Sequence, residues 1–333
     1  MLLNFCTLFD SNYAAKGIAM YESLVKHCPS FHLYIFAFDE KLVNVLNKIK
    51  LKYVTVITLK EFEDAELLSI KHTRSNKEYC WTCSGSTILY CLEHFNLESC
   101  TYIDADLFFF SDPTILIEEM GAEDDVMITE HRYTSQYDHT SVSGKYCVQF
   151  MTFKNTANGM KVLKWWRSEC LKWCYARFED GKFGDQKYLD DWQTRFEGIH
   201  VMKHLGGGVA PWNMQQYEFR RDGDSIWGNE LMTGKDFLVV FFHFHYFSCY
   251  RKWIIREFMI TDTGYSLPSS AKDCLYNPYI SVIKHCYHKM KKLDKSIDGL
   301  AMKPLEDDWF ILFKRAIKSL FVPECYFIRW LEW

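Results

Sequence analysis

Thr101-Tyr102-Ile103-Asp104-Ala105-Asp106-Leu107-Phe108-Phe109-Phe110 is the stretch on which the rest of the chain turns. A short β-branched and aromatic run leads straight into two carboxylates two positions apart, and a second apolar run follows at once. Side chains at i and i+2 of an extended backbone project to the same side. Asp104 and Asp106 are therefore placed to approach one hard divalent cation, Mg²⁺ or Mn²⁺, through oxygen. Such a cation keeps waters and takes further ligands from a substrate's phosphates. An isolated Asp-x-Asp is more often a pair of solvated acids; one that ends a buried strand has a stronger claim.

The chain upstream supplies that context. Leu2–Phe9 is an apolar run without alternation, as expected of a strand covered on both faces. Asp10-Ser11-Asn12-Tyr13 then leads into a helical segment with Ile18, Tyr21, Leu24 and Val25 on one face. Phe31–Phe38 and Tyr53–Leu59 read as strands, Leu42–Ile49 and Ser84–Phe95 as helices. This alternation implies right-handed crossovers and a parallel sheet, with the ligand beyond the carboxyl ends of the strands. Asp10, Asp39 and Asp104 all follow strands at that edge.

After Asp112-Pro113 the pattern is mixed. Strands are expected at Val126–Thr129, Tyr146–Phe153 and Phe237–Phe247, and helices at Met160–Arg177 and Gly184–Trp192. Asp222-Gly223 marks a hairpin, Gly206-Gly207-Gly208 reads as a flexible loop, and from Ala271 the chain reads as helical to its end.

Composition bounds the function. With 333 residues, 48% hydrophobic and 25% charged, the chain has enough apolar mass for a sizeable core. A net charge of −4 argues against duplex nucleic acid as the partner. Thirteen scattered cysteines do not make a disulfide framework, so free thiols and a reducing cytoplasm are expected. The opening residues have no basic n-region and Asp10 interrupts their apolar run, so no signal peptide is expected. No run reaches the ~18 apolar residues of a membrane span.

Two further clusters carry chemistry. Asp10 and Asn12 have the donors and acceptors to read a base edge, with Tyr13 offering a ring for stacking; the competing reading is an Asx turn capping the next helix. Phe242-His243-Phe244-His245 puts both imidazoles on one strand face, with Arg251 six residues after His245. Imidazole suits Mn²⁺-like ions and guanidinium suits phosphate. Cys80-Trp81-Thr82-Cys83 has no second Cys-x-x-Cys to complete a zinc site, the glycine triplet lacks a P-loop ending, and there is no Gly-x-Ser-x-Gly elbow.

Taken in order, these motifs resemble those of the GT-A-fold glycosyltransferases, specifically the retaining family-eight-like enzymes of bacterial surface-glycan synthesis. The resemblance spans roughly residues 1–260. It implies an α/β, Rossmann-like GT-A fold with a mixed central sheet flanked by helices. Residues 1–112 would form the nucleotide-binding half, 113–260 the acceptor and sugar half, and 261–333 a helical C-terminal extension. By the same resemblance, Asp10 and Asn12 bind uracil, Tyr13 stacks on it, and Asp104 and Asp106 are metal ligands with Asp104 also at the nucleotide. His245 is the third protein ligand and Arg251 contacts the diphosphate. Gly184-Asp185-Gln186-Lys187-Tyr188-Leu189 resembles the segment facing the donor sugar, so Asp185 would bind sugar hydroxyls and Gln186 would lie beneath the anomeric carbon. Cys147 and Gln149 stand where the family has Asn and Gly near the sugar, and Ala210-Pro211-Trp212-Asn213 resembles a loop near the site, where an exposed Trp212 would stack on sugar. The family's basic residue on the helix before Asp-x-Asp has no counterpart in Cys83–Phe95.

The function so implied is metal-dependent transfer of a hexose from a UDP-sugar donor to a glycan or glycolipid acceptor, with retention and with Mn²⁺ or Mg²⁺ as cofactor. A sugar-1-phosphate nucleotidyltransferase is the alternative enzyme, although Asp10–Tyr13 lacks its Gly-rich basic loop. A non-catalytic carbohydrate-binding protein is the third reading. The aromatic, basic segment Asp308–Trp333, preceded by His285, His288, Lys289, Lys291 and Lys292, suits either peripheral contact with the cytoplasmic membrane face or packing against the catalytic domain.

Overall fold

The computed structural model describes residues 2–250, 254–256, 265–301 and 328–330. β1 (Leu3–Phe9), α1 (Ala14–His27), β2 (Phe31–Ala37), α2 (Glu40–Ile49) and β3 (Val54–Thr58) follow the expected alternation. Short helices α3 (Leu59–Phe62) and α4 (Ala65–Lys71) lead to α5 (Asn76–His94), which starts well before the expected Ser84. Its start is fixed by a capping box: the Ser75 hydroxyl accepts from the Glu78 N–H while the Glu78 carboxylate accepts from the Ser75 N–H. Next come β4 (Ser99–Ile103), β5 (Leu107–Phe109), α6 (Thr114–Ile117), β6 (Val126–Glu130), α7 (Thr140–Ser143), β7 (Tyr146–Lys154) and α8 (Ala157–Lys172). The remaining elements used here are α9 (Trp192–Arg195), β8 (Ile199–Val201), β9 (Tyr217–Asp222), β10 (Ser225–Glu230), β11 (Asp236–Leu238) and β12 (Phe241–His243).

The main sheet has seven strands in the order β3-β2-β1-β4-β7-β6-β8. β1 pairs in parallel with β2 and β4, and β2 with β3. β7 runs antiparallel to both β4 and β6, which makes the sheet mixed, as expected for the α/β class. Strand order leaves β1 in two directions, so the β1/β4 boundary is the topological switch point where a ligand crevice opens. Asp10 follows β1 and Asp104 follows β4, both at that boundary.

Helices cover both faces of the sheet. One core joins Ile18 and Leu24 of α1 and Leu42 and Val45 of α2 to Ile283 and Met290 of the helix Asn277–Leu293. The other joins Cys83, Ile88 and Leu92 of α5 to Val162 and Trp166 of α8. Each such aliphatic or aromatic side chain, fully buried, contributes roughly 1.5–3 kcal/mol. Gly85 permits the α5–α8 contact, since a Cβ there would lie 3.0 Å from the Trp166 ring.

Several sequence expectations change. Phe237–Phe247 is not one strand: β11 extends the β9–β10 hairpin, whereas β12 pairs antiparallel with β5. The chain changes partners at Val239-Val240, whose N–H groups donate to the carbonyls of Ile226 and Gly206. Gly206–Gly208 is therefore buried backbone rather than a flexible loop, and a Cβ on Gly206 would fall 1.8 Å from the Leu238 carbonyl oxygen. The helix expected at Met160–Arg177 runs from Ala157 to Lys172, and Gly184–Trp192 forms a 3₁₀ turn (Lys187–Asp191) ahead of α9. The hairpin at Asp222-Gly223 is present. Ile328–Trp330 is a strand paired with Ile254–Arg256, not helix; the rest of Asp308–Trp333 lies outside the described residues. Among the described residues no helix is long and apolar enough to cross a membrane. Asn277–Leu293 packs on α1, where Lys289 Nζ lies 3.0 Å from Glu22.

Candidate active site

Strand register brings the carboxylates to an imidazole. In the β5–β12 pair, Leu107 lies opposite His243, and the Phe244 N–H donates to the Asp106 carbonyl at 3.0 Å. His243 Nε2 consequently stands 3.1 Å from Asp106 Oδ1 and 3.7 Å from Asp104 Oδ2. Donor atoms of Asp104, Asp106 and His243 all lie within 4.8 Å of one another. His245, expected as the third ligand, is not in this group. β12 ends at His243, and His245 is exposed in the turn beyond, with its ring centroid 5.4 Å from that of His243. Arg251 lies outside the described residues.

A cation that the sequence reading missed completes the cluster. Lys16, on the first turn of α1, is buried, with Nζ 3.6 Å from Asp106 Oδ2 and donating to the Phe247 carbonyl at 3.1 Å. The same ammonium sits 4.5 Å from the centre of the Tyr13 ring. Its signal in the sequence was a lone lysine among the small residues Ala14, Ala15 and Gly17, three places after Tyr13.

These charges set one another. Burial alone would raise the Asp106 carboxyl, but His243 and Lys16 hold it well below the usual carboxylate range. Burial drives the Asp104 carboxyl upward, against the pull of His243 and with the push of Asp106. Burial lowers the His243 imidazole, yet the two carboxylates more than offset it and its pKa ends above the ordinary histidine value. Lys16 likewise ends above its usual value, because Tyr13 and Asp106 outweigh desolvation.

The Asp10–Tyr13 loop forms the Asx turn that competed with base reading. Asp10 Oδ1 accepts from the N–H groups of Asn12 and Tyr13 at 3.0 and 3.2 Å, and Oδ2 accepts from the Asn12 amide. Asn12 and Tyr13 are nevertheless exposed. Asp39 braces the loop by accepting from the Ser11 N–H and from Leu42 at the start of α2.

On the other side, Trp166 Nε1 donates to the Asp185 carbonyl and Ser84 Oγ donates to the Asp185 carboxylate at 3.0 Å. Burial, with Asp104 nearby, pushes the Asp185 carboxyl up to about 7 against the Ser84 hydrogen bond. The Gln186 amide donates to the Ser143 carbonyl at 2.7 Å. Ser84 and Lys77 both lie on α5, and Lys77 stands over the Trp81 ring at 4.5 Å.

Four residues assigned to the sugar side are buried. Trp212 is buried, its ring packed edge-on against His131, His243 and His245, so it is an anchor and not an exposed stacking surface. Asn213 is fully buried and donates to the carbonyls of His131 and Gly208 while accepting from the Ala210 N–H. Cys147 is buried against Tyr137, Ala210 and Trp212. Gln149 is fully buried and turned towards His243, with its Oε1 2.8 Å from His243 Nδ1. Oxygen and imidazole nitrogen donors of this kind suit a hard or borderline divalent cation.

No protein-family model matches the chain. Among solved structures, the galactosyltransferase LgtC in complex with donor and acceptor sugar analogs is similar at 14% identity and TM-score 0.47, covering 85% of this chain and 96% of that one. Mouse xyloside xylosyltransferase 1 is similar at 11% identity and TM-score 0.43, over 63% and 87% of the two chains. In sequence, YfnF of Bacillus subtilis (strain 168) is 29% identical over 309 residues, 90% of this chain and 97% of YfnF. YfnD of the same organism is 30% identical over 289 residues, 84% of this chain and 88% of YfnD. The chain belongs to the protein family of YfnD.

Proposed function

We propose that this chain is a GT-A-type glycosyltransferase that moves a hexose from a UDP-sugar to a glycan or glycolipid acceptor, with a divalent cation and with retention. The observation that carries this reading is the convergence of Asp104, Asp106 and His243 within 4.8 Å at the carboxyl edge of the sheet. These three residues would hold Mn²⁺ or Mg²⁺, His243 in the place expected for His245. A cation bound there supplies Lewis-acid stabilisation of charge on a departing diphosphate.

The chain's own residues do the rest. Tyr13, exposed and backed by Lys16, offers a ring to uracil, with Asp10 and Asn12 at the base edge. Arg251 is assigned to the diphosphate, where guanidinium makes charge-assisted hydrogen bonds. Asp185 and Gln186 are assigned to the sugar, where positive charge grows near the anomeric carbon. Buried and pushed up to about 7, Asp185 can carry its proton near neutrality and donate to a sugar hydroxyl.

The test pairs Mn²⁺ titration with donor turnover in Asp106→Asn. Loss of both is the expected result; undiminished Mn²⁺-dependent turnover removes the assigned role. A thermal-shift screen of nucleotide sugars with and without Mn²⁺ should single out UDP donors over GDP and CMP ones by mass action. Pyrophosphate release from a nucleoside triphosphate would indicate nucleotidyl transfer instead.

A further inference from the structure

Three cations beside the candidate site rest on aromatic rings instead of carboxylates. Lys77 Nζ stands over the Trp81 ring at 4.5 Å, the Arg74 guanidinium over Tyr175 at 3.9 Å, and Lys182 Nζ over Trp173 at 5.2 Å. Among the described residues none of the three has a carboxylate within ion-pair distance. The acids around them are engaged elsewhere. Glu78 accepts from the Ser75 and Ala176 N–H groups, and Glu179 pairs with Arg177. A ring face holds an exposed cation weakly, whereas a phosphate or carboxylate holds it through charge-assisted hydrogen bonds. Lys77 is exposed and stands in the first turn of α5, where the helix macrodipole disfavours a cation.

This strip continues the side of the site assigned to sugar. On α5, Ser84 donates to the Asp185 carboxylate at 3.0 Å. One turn earlier, the Trp81 ring lies 3.3 Å from where a Cβ on Gly184 would fall, and 6.2 Å from the Phe183 ring. Lys77 comes one turn before that. Cys80, between Lys77 and Trp81, stands near the Asp10 loop: burial, then the Asp10 charge, push its thiol up to about 12. Seven residues of helix put Lys77 about 10 Å from Ser84 along the axis, further than one pyranose ring extends. The donor's own phosphates are assigned to the Asp104, Asp106 and His243 group, so an anion at the N-terminal end of α5 belongs to the other substrate.

We propose that Arg74, Lys77 and Lys182 bind an anionic group, a phosphate or a carboxylate, carried by the acceptor glycan beyond the ring that receives the hexose. This rests on the donor site of the proposed function, and the experiment separates the two. UDP with Mn²⁺ is first titrated alone into the full chain by calorimetry. With both present, trehalose, trehalose 6-phosphate and trehalose 6-uronate are then titrated against ¹⁵N-tryptophan-labelled protein. The Trp81 indole signal, assigned by its loss in Trp81→Phe, reports the ammonium leaving the ring. In wild type the charged probes should shift that signal and bind about tenfold more tightly than trehalose, as one hydrogen bond to a charged group allows. The preference should fade as NaCl is raised. Lys77→Gln should cut it to less than threefold and Lys77→Arg should keep it. Whichever charged probe binds more tightly names the group.

Equal binding of charged and neutral probes in wild type overturns the proposal, as does an undiminished preference in Lys77→Gln. Loss of UDP–Mn²⁺ affinity in Lys77→Gln also overturns it, because the lysine then serves the donor. A wild-type protein that binds no UDP with Mn²⁺, yet prefers charged probes through Lys77, refutes the proposed donor site and upholds the anion strip.

Discussion

Asp185→Asn should make stability less dependent on pH, because Asp185 is a buried acid whose folded state favours the proton. Its carboxylate has one side-chain hydrogen bond, from Ser84, and its pKa stands at about 7 against 3.8 in a free chain. A folded pKa raised above the unfolded one stabilises the fold fully below pH ~4, and that contribution fades as pH rises through about 7. A shift of about 3 units corresponds to about 4 kcal/mol over the whole range, at 1.36 kcal/mol per unit. Between pH 5 and pH 8 the wild-type protein should lose about 2.5 kcal/mol of it. Asn cannot ionise, so in metal-free buffer the wild-type minus Asp185→Asn difference should move by that amount towards the variant as pH rises. Urea unfolding at the two pH values reads it directly: with an m-value of about 3 kcal/mol/M, the gap between midpoints should change by about 0.8 M. Titrating groups that do not couple to Asp185 cancel in the comparison, and Asp104, which does, shifts the midpoint of the change rather than its direction. A gap that stays constant from pH 5 to pH 8 would refute the argument that burial holds this carboxyl protonated.

Four further outcomes follow from the same geometry. His243→Ala should weaken Mn²⁺ binding at least tenfold in calorimetry, whereas His245→Ala should change it less than threefold; the reverse order would return the ligand role to His245. Lys16→Met breaks a buried ion pair, which should cost about 3 kcal/mol of stability. The same change should tighten Mn²⁺ binding, so saturating Mn²⁺ recovers much of the loss in thermal melts. Gly208→Ala, forced to φ +90° with its Cβ 2.7 Å from Thr129 Cγ2, should destabilise by about 2–4 kcal/mol in urea titrations. Every described cysteine except Cys80 is buried and all are free, so brief alkylation of the native protein followed by peptide mapping should leave the buried ones unmodified, while unfolding exposes them.

Local pattern determined much of this protein. Apolar runs, helical faces and the carboxylates that end β1, β2 and β4 were enough to predict an α/β sheet with a site at its carboxyl edge, because strand and helix periods are properties of neighbouring residues. The same local chemistry placed Asp104 and Asp106 at that edge, and it left the Asp10 loop open between an Asx turn and a base reader.

What tertiary structure alone decided concerns residues far apart in the chain. Alternation puts His243 and His245 on the same strand face; only the β5–β12 register, which sets Leu107 against His243, selects the imidazole next to Asp106. Nothing local reveals that Gln149 is turned towards a histidine 94 residues away or that the Trp212 ring packs edge-on against the same histidine. Lys16 is a surface residue type until the fold closes Phe247 and Asp106 around it. The glycines at 206 to 208 read as a flexible loop, yet tight backbone packing against Leu238 is what requires them to lack side chains. Sequence determines which chemical groups exist and how short segments bend; which of those groups meet is set by long-range pairing and burial, to which a local pattern is blind.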